Sequence, residues 1–156
     1  MTGPIGQAAL IAGTVGTGLI AGLFFGFSTA VMPGLAKTDD RTFVAAMQGI
    51  NDAIYNPAFL TVYVAPIVCL AFAAFTGPAR PWVIAALVLY VASVMITGAG
   101  NIPLNDALVA AGLPDSASAL DAARTAFEKP WNRLHLARTA TVIAAFGACL
   151  GALRAA

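Results

Sequence analysis

Charged side chains are scarce in this sequence: its 156 residues include eight Lys or Arg and seven Asp or Glu, while 60% of the chain is hydrophobic. A typical soluble domain carries about 25% charged residues, because it has to cover a large surface with polar groups. The composition therefore excludes a disordered chain and argues against a water-soluble domain. A net charge of +1 also lacks the basic surface that nucleic-acid binding requires. The expected surroundings are a lipid bilayer.

Metal-ligating residues are equally few. The chain has two cysteines and one histidine, and Cys69 and Cys149 lie in separate apolar runs without a CxxC spacing. A structural zinc site needs about four protein ligands and a catalytic zinc site about three. We therefore predict no metal site and no disulfide, and we interpret both cysteines as small apolar core residues.

Apolar runs dominate the rest of the chain. No charged residue occurs in 1–36, 53–79 or 81–105, and each of these stretches exceeds the roughly 20 residues that a helix needs to cross a bilayer. A fourth run, 134–153, is long enough but begins with ionisable residues. The runs are unbroken and do not alternate, which excludes a membrane barrel. Helices satisfy their own backbone hydrogen bonds in lipid.

The predicted fold is accordingly all-α: a four-transmembrane-helix bundle that forms a single membrane domain over residues 1–156. Short amphipathic helices are expected in its two long connections, which have to lie on the same side. The connection between the second and third spans is a short proline-rich hairpin, 77–81. The predicted spans are about 5–31, 57–76, 81–100 and 131–153.

The two long connections, about 32–56 and 101–130, contain helix signals of their own. Asp39 or Asp40 can cap a short helix that has Phe43, Met47, Ile50 and Ile54 on one side. In the second connection, Asp115 or Ser116 can cap a helix over about 116–128, and Pro130 suits the first position of the last span. The side of these connections carries Lys37, Arg41, Arg124, Lys129 and Arg133, against Arg80 and Arg154 on the other side. This distribution predicts that the connections face the cytoplasm, with the protein in a bacterial inner membrane.

Small residues recur every fourth position along the first span, at Gly18, Gly22 and Gly26. Such a pattern lets another helix backbone approach closely. One interpretation is a homo-oligomer formed through this face. The other, which we favour, is packing against the remaining spans of the same chain.

Ionisable groups inside a membrane span are costly and usually mark a site. Here they fall at the start of the fourth span, where Asn132, His135 and Arg138 share a helix face. Asn101 and Asn105, at the end of the third span, are the expected partners, while Gln48 and Asn51 could form a lid. An alternative is purely structural: Arg138 pairs with Asp106 or Glu128, and Trp131 belongs to an interfacial aromatic belt.

These motifs together resemble the anthrone oxygenase-like family of small four-helix membrane proteins, most of whose bacterial members are a domain of unknown function. The resemblance covers nearly the whole chain and implies the four-helix fold. Characterised fungal relatives oxidise anthrones to anthraquinones, which implies an oxidoreductase. The resemblance rests on six motifs: FFGFS at 24–28, VMPGL at 31–35, MQGIN at 47–51, NP at 56–57, NIPLN at 101–105 and WNRLHLAR at 131–138.

The residue inventory constrains how such a reaction would proceed. One histidine and no intramembrane carboxylate argue against haem, di-iron and two-histidine-one-carboxylate centres. We therefore predict chemistry without a cofactor, in which His135 removes a proton from a phenolic or anthrone-like substrate. Arg138, with Asn101, Asn105 and Asn132, would stabilise the anion that then reacts with dioxygen.

Substrate contacts are expected from Trp131, Asn101, Asn105, Gln48 and Asn51, around a hydrophobic small molecule. Two other functions stay open. The same pocket could bind a quinone, a lipid or another amphipathic ligand without catalysis, or the protein could be a structural partner that packs against another helix.

Overall fold

Four long helices and one short helix make up the chain in a computed structural model, which describes residues 3–76 and 79–156. The four long helices have the length and apolar composition to cross a membrane, which is consistent with an integral membrane protein and confirms the predicted class. Gly77 and Pro78 of the predicted hairpin lie outside the described residues. The helices are α1 (Pro4–Leu35), α2 (Asp40–Ala53), α3 (Pro57–Thr76), α4 (Arg80–Ala110) and α5 (Ala117–Ala155).

Two of the long helices contain a π-helical turn near the end that leads into a long connection. The turns span Phe27–Val31 in α1 and Thr97–Asn101 in α4, and each is followed after one residue by a proline, Pro33 or Pro103. A proline ring contacts the preceding turn of an α-helix, and a wider turn directly ahead of it relieves that contact. Hence α1 and α4 continue past the predicted ends of their spans.

Pro130 does not begin the fourth span, and the helix boundary predicted there is wrong. One helix runs from Ala117 to Ala155 with Pro130 inside it. An internal proline costs about 3 kcal/mol in an isolated helix. Here Phe127 and Trp131, on either side of Pro130, are both 2% exposed and pack in one apolar cluster. Burial of these two large side chains offsets the local cost and keeps the helix continuous.

The helix starts in the two connections follow the predicted capping. Asp39 accepts a hydrogen bond from the Thr42 backbone N–H at 2.9 Å and caps α2. A further bond from the Thr42 hydroxyl is the main reason why the pKa of Asp39 lies below its usual value. Ser116 caps α5 by accepting from the Ala119 N–H at 3.3 Å. Between the two predicted candidates at each start, the structure therefore uses Asp39 and Ser116.

The predicted apolar face of α2 packs against α5 and the end of α4. Phe43 and Met47 are fully buried, and Ile50 is partly buried against the same cluster. The Gln48 amide donates to the carbonyl oxygens of Leu108 and Gly112, at 2.8 and 2.7 Å. The two long connections therefore meet on one side of the bundle, as predicted.

Close packing of α1 against α3 uses a different set of glycines from the predicted stripe. A Cβ at Gly13 would meet Leu70 at 2.9 Å, and a Cβ at Gly16 would meet Pro66 at 2.8 Å. In the predicted stripe, Gly18 faces Phe146 of the same chain, whereas Gly22 and Gly26 have open space around them. Packing within the chain accounts for Gly18, and association of copies through Gly22 and Gly26 stays a prediction.

Arg124 joins α5 to the first connection, and its replacement is expected to destabilise the protein. Its guanidinium bonds to Glu128 and Asp40 at 2.7 and 3.0 Å and to two backbone carbonyls, and it lies over the Phe43 ring. Hydrogen bonds of charged groups contribute roughly 1.5–3 kcal/mol each. We expect Arg124→Leu to lower the free energy of unfolding by about 2 kcal/mol, measured by denaturant titration in detergent micelles.

Arg41 is the matched control for that experiment. It also links α2 to the second connection, through Asp115 at 3.3 Å, but both side chains are exposed. Exposed ion pairs contribute little, so Arg41→Leu should leave the unfolding midpoint almost unchanged. Equal losses in the two variants would show that Arg124 is no more important than a surface residue.

Candidate functional site

A cavity of about 210 Å³ is lined by residues of all five helices, on the side of the long connections. We call it the inner cavity. Its wall is mainly apolar and aromatic, with contributions from Phe24, Phe27, Phe59 and Trp131. Polar side chains occupy a minority of the lining; they are Asn51, Tyr55, Tyr63, Thr97, Asn105 and Arg138.

Arg138 supplies a buried positive charge to this cavity. It is 8% exposed, its Nε donates to His135 Nδ1 at 3.0 Å and its Nη1 donates to the Thr97 hydroxyl at 3.2 Å. The guanidinium lies 4.2 Å from the centre of the Phe24 ring. Within residues 3–76 and 79–156 it forms no ion pair, and Glu128 binds Arg124 instead. The structural alternative, in which Arg138 pairs with Asp106 or Glu128, is therefore wrong.

His135 lies beside Arg138 but does not line the inner cavity. Because a guanidinium can only donate, Nδ1 of His135 has to be the acceptor of the Arg138 bond. The proton then sits on Nε2, which donates to the Phe24 carbonyl at 3.1 Å. The hydrogen-bond network assigns this tautomer. With both ring nitrogens engaged, His135 has no free nitrogen to accept a substrate proton, which argues against the predicted role as a base.

Trp131 connects His135 to the asparagines of α4. Its ring stacks on the His135 ring at 4.6 Å between centroids, and its Nε1 donates to Asn105 Oδ1 at 2.8 Å. The Asn101 amide donates to the Trp131 carbonyl at 3.2 Å. Trp131 is buried, so the alternative of an interfacial belt residue is wrong. Asn105 lines the inner cavity, whereas Asn101 is fully buried behind it.

The remaining predicted site residues divide between three cavities. Asn51 lines the inner cavity and is 7% exposed, and its Nδ2 has no hydrogen-bond partner in the described part of the chain. Gln48 lines an outer cavity of about 560 Å³, which shares Asn51, Tyr55 and Asn105 with the inner one. Asn132 lines a separate cavity with His135, of about 270 Å³. Asn132 and Gln48 are therefore not brought to Arg138.

Gln48 has a structural task that the helix pattern did not indicate. Its Nε2 donates to the carbonyls of Leu108 and Gly112, the last turn and the end of α4. Helix ends leave such carbonyls without partners inside the helix. Gly112 there has φ of 64°, the left-handed conformation typical of a glycine after a helix. Gln48 thus fixes the end of α4 over the site.

Three features of the site were not predicted from the sequence. Tyr63 lines the inner cavity, and Thr97 binds Arg138. The third feature is the π-helical turn in both α1 and α4, which form hydrogen bonds with His135 and Arg138. Single π-helical turns are frequent at functional sites. The sequence signal for the π-helical turns was a run of small residues followed by Met-Pro at 32–33 or Ile-Pro at 102–103. Tyr63 gave little signal, because tyrosine is common near the ends of membrane spans.

The fold and the cavity together define a helical protein with four helices able to span a membrane and an aromatic cavity that holds one buried arginine. A family model described as "Anthrone oxygenase" matches residues 50–148, which is more than half of the chain. The chain therefore belongs to the anthrone oxygenase family, as its motifs predicted. Neither a curated protein nor a solved structure matches it.

Proposed function

We propose that this protein is a membrane-embedded oxidoreductase that oxidises a hydrophobic phenolic or anthrone-like substrate with dioxygen, without a metal. The observation that carries the proposal is Arg138, a buried cation without an ion-pair partner in the described residues, at the wall of an aromatic cavity. An isolated buried charge is unfavourable. A substrate oxyanion would supply the missing negative charge.

The other polar groups of the inner cavity favour the same kind of ligand. Asn51 Nδ2 is a buried donor without a partner in the described residues, and the lining contains no carboxylate. Preorganised hydrogen-bond donors stabilise a developing negative charge strongly in an apolar site. The volume of about 210 Å³ exceeds the roughly 150 Å³ of an engineered cavity that holds one benzene ring. An aromatic substrate with an ionisable oxygen fits this description.

The reaction balances with dioxygen as the only oxidant. A methylene carbon next to the aromatic system loses a proton, and the resulting anion places its negative charge on oxygen beside Arg138. The anion gives one electron to dioxygen, and the radical pair joins to form a carbon–oxygen bond. One proton completes a hydroperoxide. Loss of water then leaves a carbonyl, so one methylene group and one dioxygen molecule yield one carbonyl and one water.

In this proposal His135 is a positioning residue. It accepts from Arg138 Nε and is itself held by Phe24 and Trp131, so the guanidinium keeps one orientation toward the cavity. Preorganised donors act in this way without reorganising during the reaction. The proton lost from the methylene carbon leaves toward the outer cavity, which Asp52 and Asp106 line.

The test is a direct assay of the purified protein in detergent micelles with anthrone in chelator-treated buffer. We expect quinone formation, followed by absorbance, and dioxygen uptake in a one-to-one ratio, at a rate well above that in protein-free micelles. A rate equal to the protein-free control would contradict the proposal. Activity that disappears with chelator and returns with one added metal would contradict its metal-free part. Binding of anthraquinone without turnover would support a ligand-binding protein instead.

We also propose a location for the protein, a bacterial inner membrane with the long connections in the cytoplasm. The support is the distribution of basic residues. Exposed basic residues of the long-connection side include Lys37, Arg41, Lys129 and Arg133, against Arg80 and Arg154 at the other end. Labelling of single cysteines introduced at these two ends in intact cells would distinguish the two orientations.

A further inference from the structure

Tyr63 lines the inner cavity and carries a buried hydroxyl. Its oxygen is buried and has no hydrogen-bond partner among the described residues. The ring is held in place by stacking on Phe59, with 5.3 Å between centroids and 21° between planes. The backbone is held by Tyr90, whose hydroxyl donates to the Tyr63 carbonyl at 2.8 Å. Burying a hydroxyl without a partner is unfavourable, so a ligand group is the natural partner for this one.

The lining of the inner cavity offers few groups that can transfer a proton. Arg138 keeps its charge, and the amides of Asn51 and Asn105 and the hydroxyl of Thr97 do not exchange protons readily near neutral pH. His135 lies outside the lining with both nitrogens engaged. Tyr55 is 54% exposed, at the rim that the inner cavity shares with the outer one. Among the described lining residues, this leaves the phenol of Tyr63 as the buried proton donor.

We propose that Tyr63 is a catalytic residue that drives the loss of water from the hydroperoxide, an inference that rests on the proposed function. In this step the oxygen–oxygen bond breaks, and the departing hydroxide takes the phenolic proton to form water. The remaining carbon–hydrogen bond also breaks, and its electron pair forms the carbonyl. The proton from carbon returns to the Tyr63 phenolate. The residue is regenerated, and no further oxidant is needed.

Arg138 supports this step by its position in the same cavity. A guanidinium close to the phenol stabilises the transient phenolate, as a positive charge does for any nearby anion in a site of low dielectric constant. Thr97, which accepts from Arg138 Nη1, lines the same cavity as Tyr63. Arg138 therefore binds the oxyanion, and Tyr63 transfers protons.

The test compares Tyr63→Phe with the unaltered protein in single-turnover reactions that are quenched and analysed for hydroperoxide and quinone by mass spectrometry. General acid–base groups contribute about 10²–10⁴-fold. We expect quinone formation to fall at least roughly 100-fold, with substrate hydroperoxide accumulating. The KM for the substrate should change by less than about threefold, because acid–base catalysis acts on the rate of the step and not on ground-state binding. The melting temperature should not fall, because the removed hydroxyl makes no bond to the described protein.

Tyr90→Phe is the matched control, since it removes another buried tyrosine hydroxyl, one that bonds to the backbone. It should lower the melting temperature and release no hydroperoxide. Quinone formation by Tyr63→Phe at the parental rate, without hydroperoxide, would overturn the role of Tyr63 and leave the proposed function intact. Absence of turnover in the unaltered protein would instead overturn the proposed function, and this inference with it.

Discussion

Replacing Arg138 with methionine is expected to reduce the turnover of an anthrone-like substrate by about 100- to 1,000-fold, the range observed when one oxyanion-stabilising donor is removed from an active site. Methionine has a similar length and fills the same space without charge. The variant should still fold, because an unpaired buried charge is unfavourable and methionine removes it. Measurement of kcat and KM, together with the melting temperature, separates loss of chemistry from loss of structure.

The matched control is Arg133→Met, in the same helix. Arg133 is exposed and belongs to none of the described cavities, so its replacement should leave turnover and melting temperature unchanged. A second comparison, His135→Phe, retains an aromatic ring next to Trp131 but removes the acceptor for Arg138 Nε. A positioning role predicts a smaller loss than that of Arg138→Met. Full activity in Arg138→Met would contradict the proposed oxyanion site.

Gly16→Ala is expected to destabilise the fold more than any other single methyl addition along the contact between α1 and α3. The new Cβ would lie 2.8 Å from Cγ of Pro66, and a proline ring cannot rotate away. One of the two helices therefore has to move. Inserting a methyl group into a packed core costs roughly 1–3 kcal/mol, and we expect a loss of unfolding free energy in this range.

Gly22→Ala provides the internal control for that loss. Gly22 lies in the same helix, and its Cβ would meet no heavy atom within 4 Å. Alanine is intrinsically better than glycine in a helix by about 1 kcal/mol, so this variant should be as stable as the parent or slightly more stable. Equal unfolding midpoints for the two variants would show that α1 and α3 do not pack closely at Gly16. A change in oligomeric state on native mass spectrometry of Gly22→Ala would instead support the predicted association of copies.

The boundaries of the spans were predictable only where the length of the apolar run sets them. Residues 57–76 were predicted as the second span, and the structure has a helix over Pro57–Thr76. The starts of α2 and α5 were predictable because a capping side chain acts within three residues along the chain. The ends near Pro33, Pro103 and Pro130 were not. Proline usually ends a helix, and only tertiary packing and the π-helical turns allow these helices to continue.

The positions of the site residues were predicted less well than their identities. Asn105, Trp131, His135 and Arg138 do lie together, because their sequence spacing places them near the same end of two spans. Asn132 and Gln48 point into other cavities. Neither residue belongs to a helix with a π-helical turn, because those turns lie in α1 and α4. Each residue of a helix corresponds to about 100° of rotation. Six residues therefore place Asn132 and Arg138 about 120° apart around α5, with His135 between them.

The sequence by itself indicated lipid surroundings, the number of helices long enough to cross a membrane, the side of the bundle that carries the polar residues, and the family. These properties depend on composition, run length and local motifs, which are linear along the chain. Only the tertiary structure showed that Arg138 lines a cavity without a carboxylate. It also showed that His135 accepts a hydrogen bond from Arg138 and that the buried Tyr63 hydroxyl has no partner in the described residues. Each of these facts depends on which atoms a neighbouring helix presents at hydrogen-bond distance, and residue spacing within one helix does not contain that information.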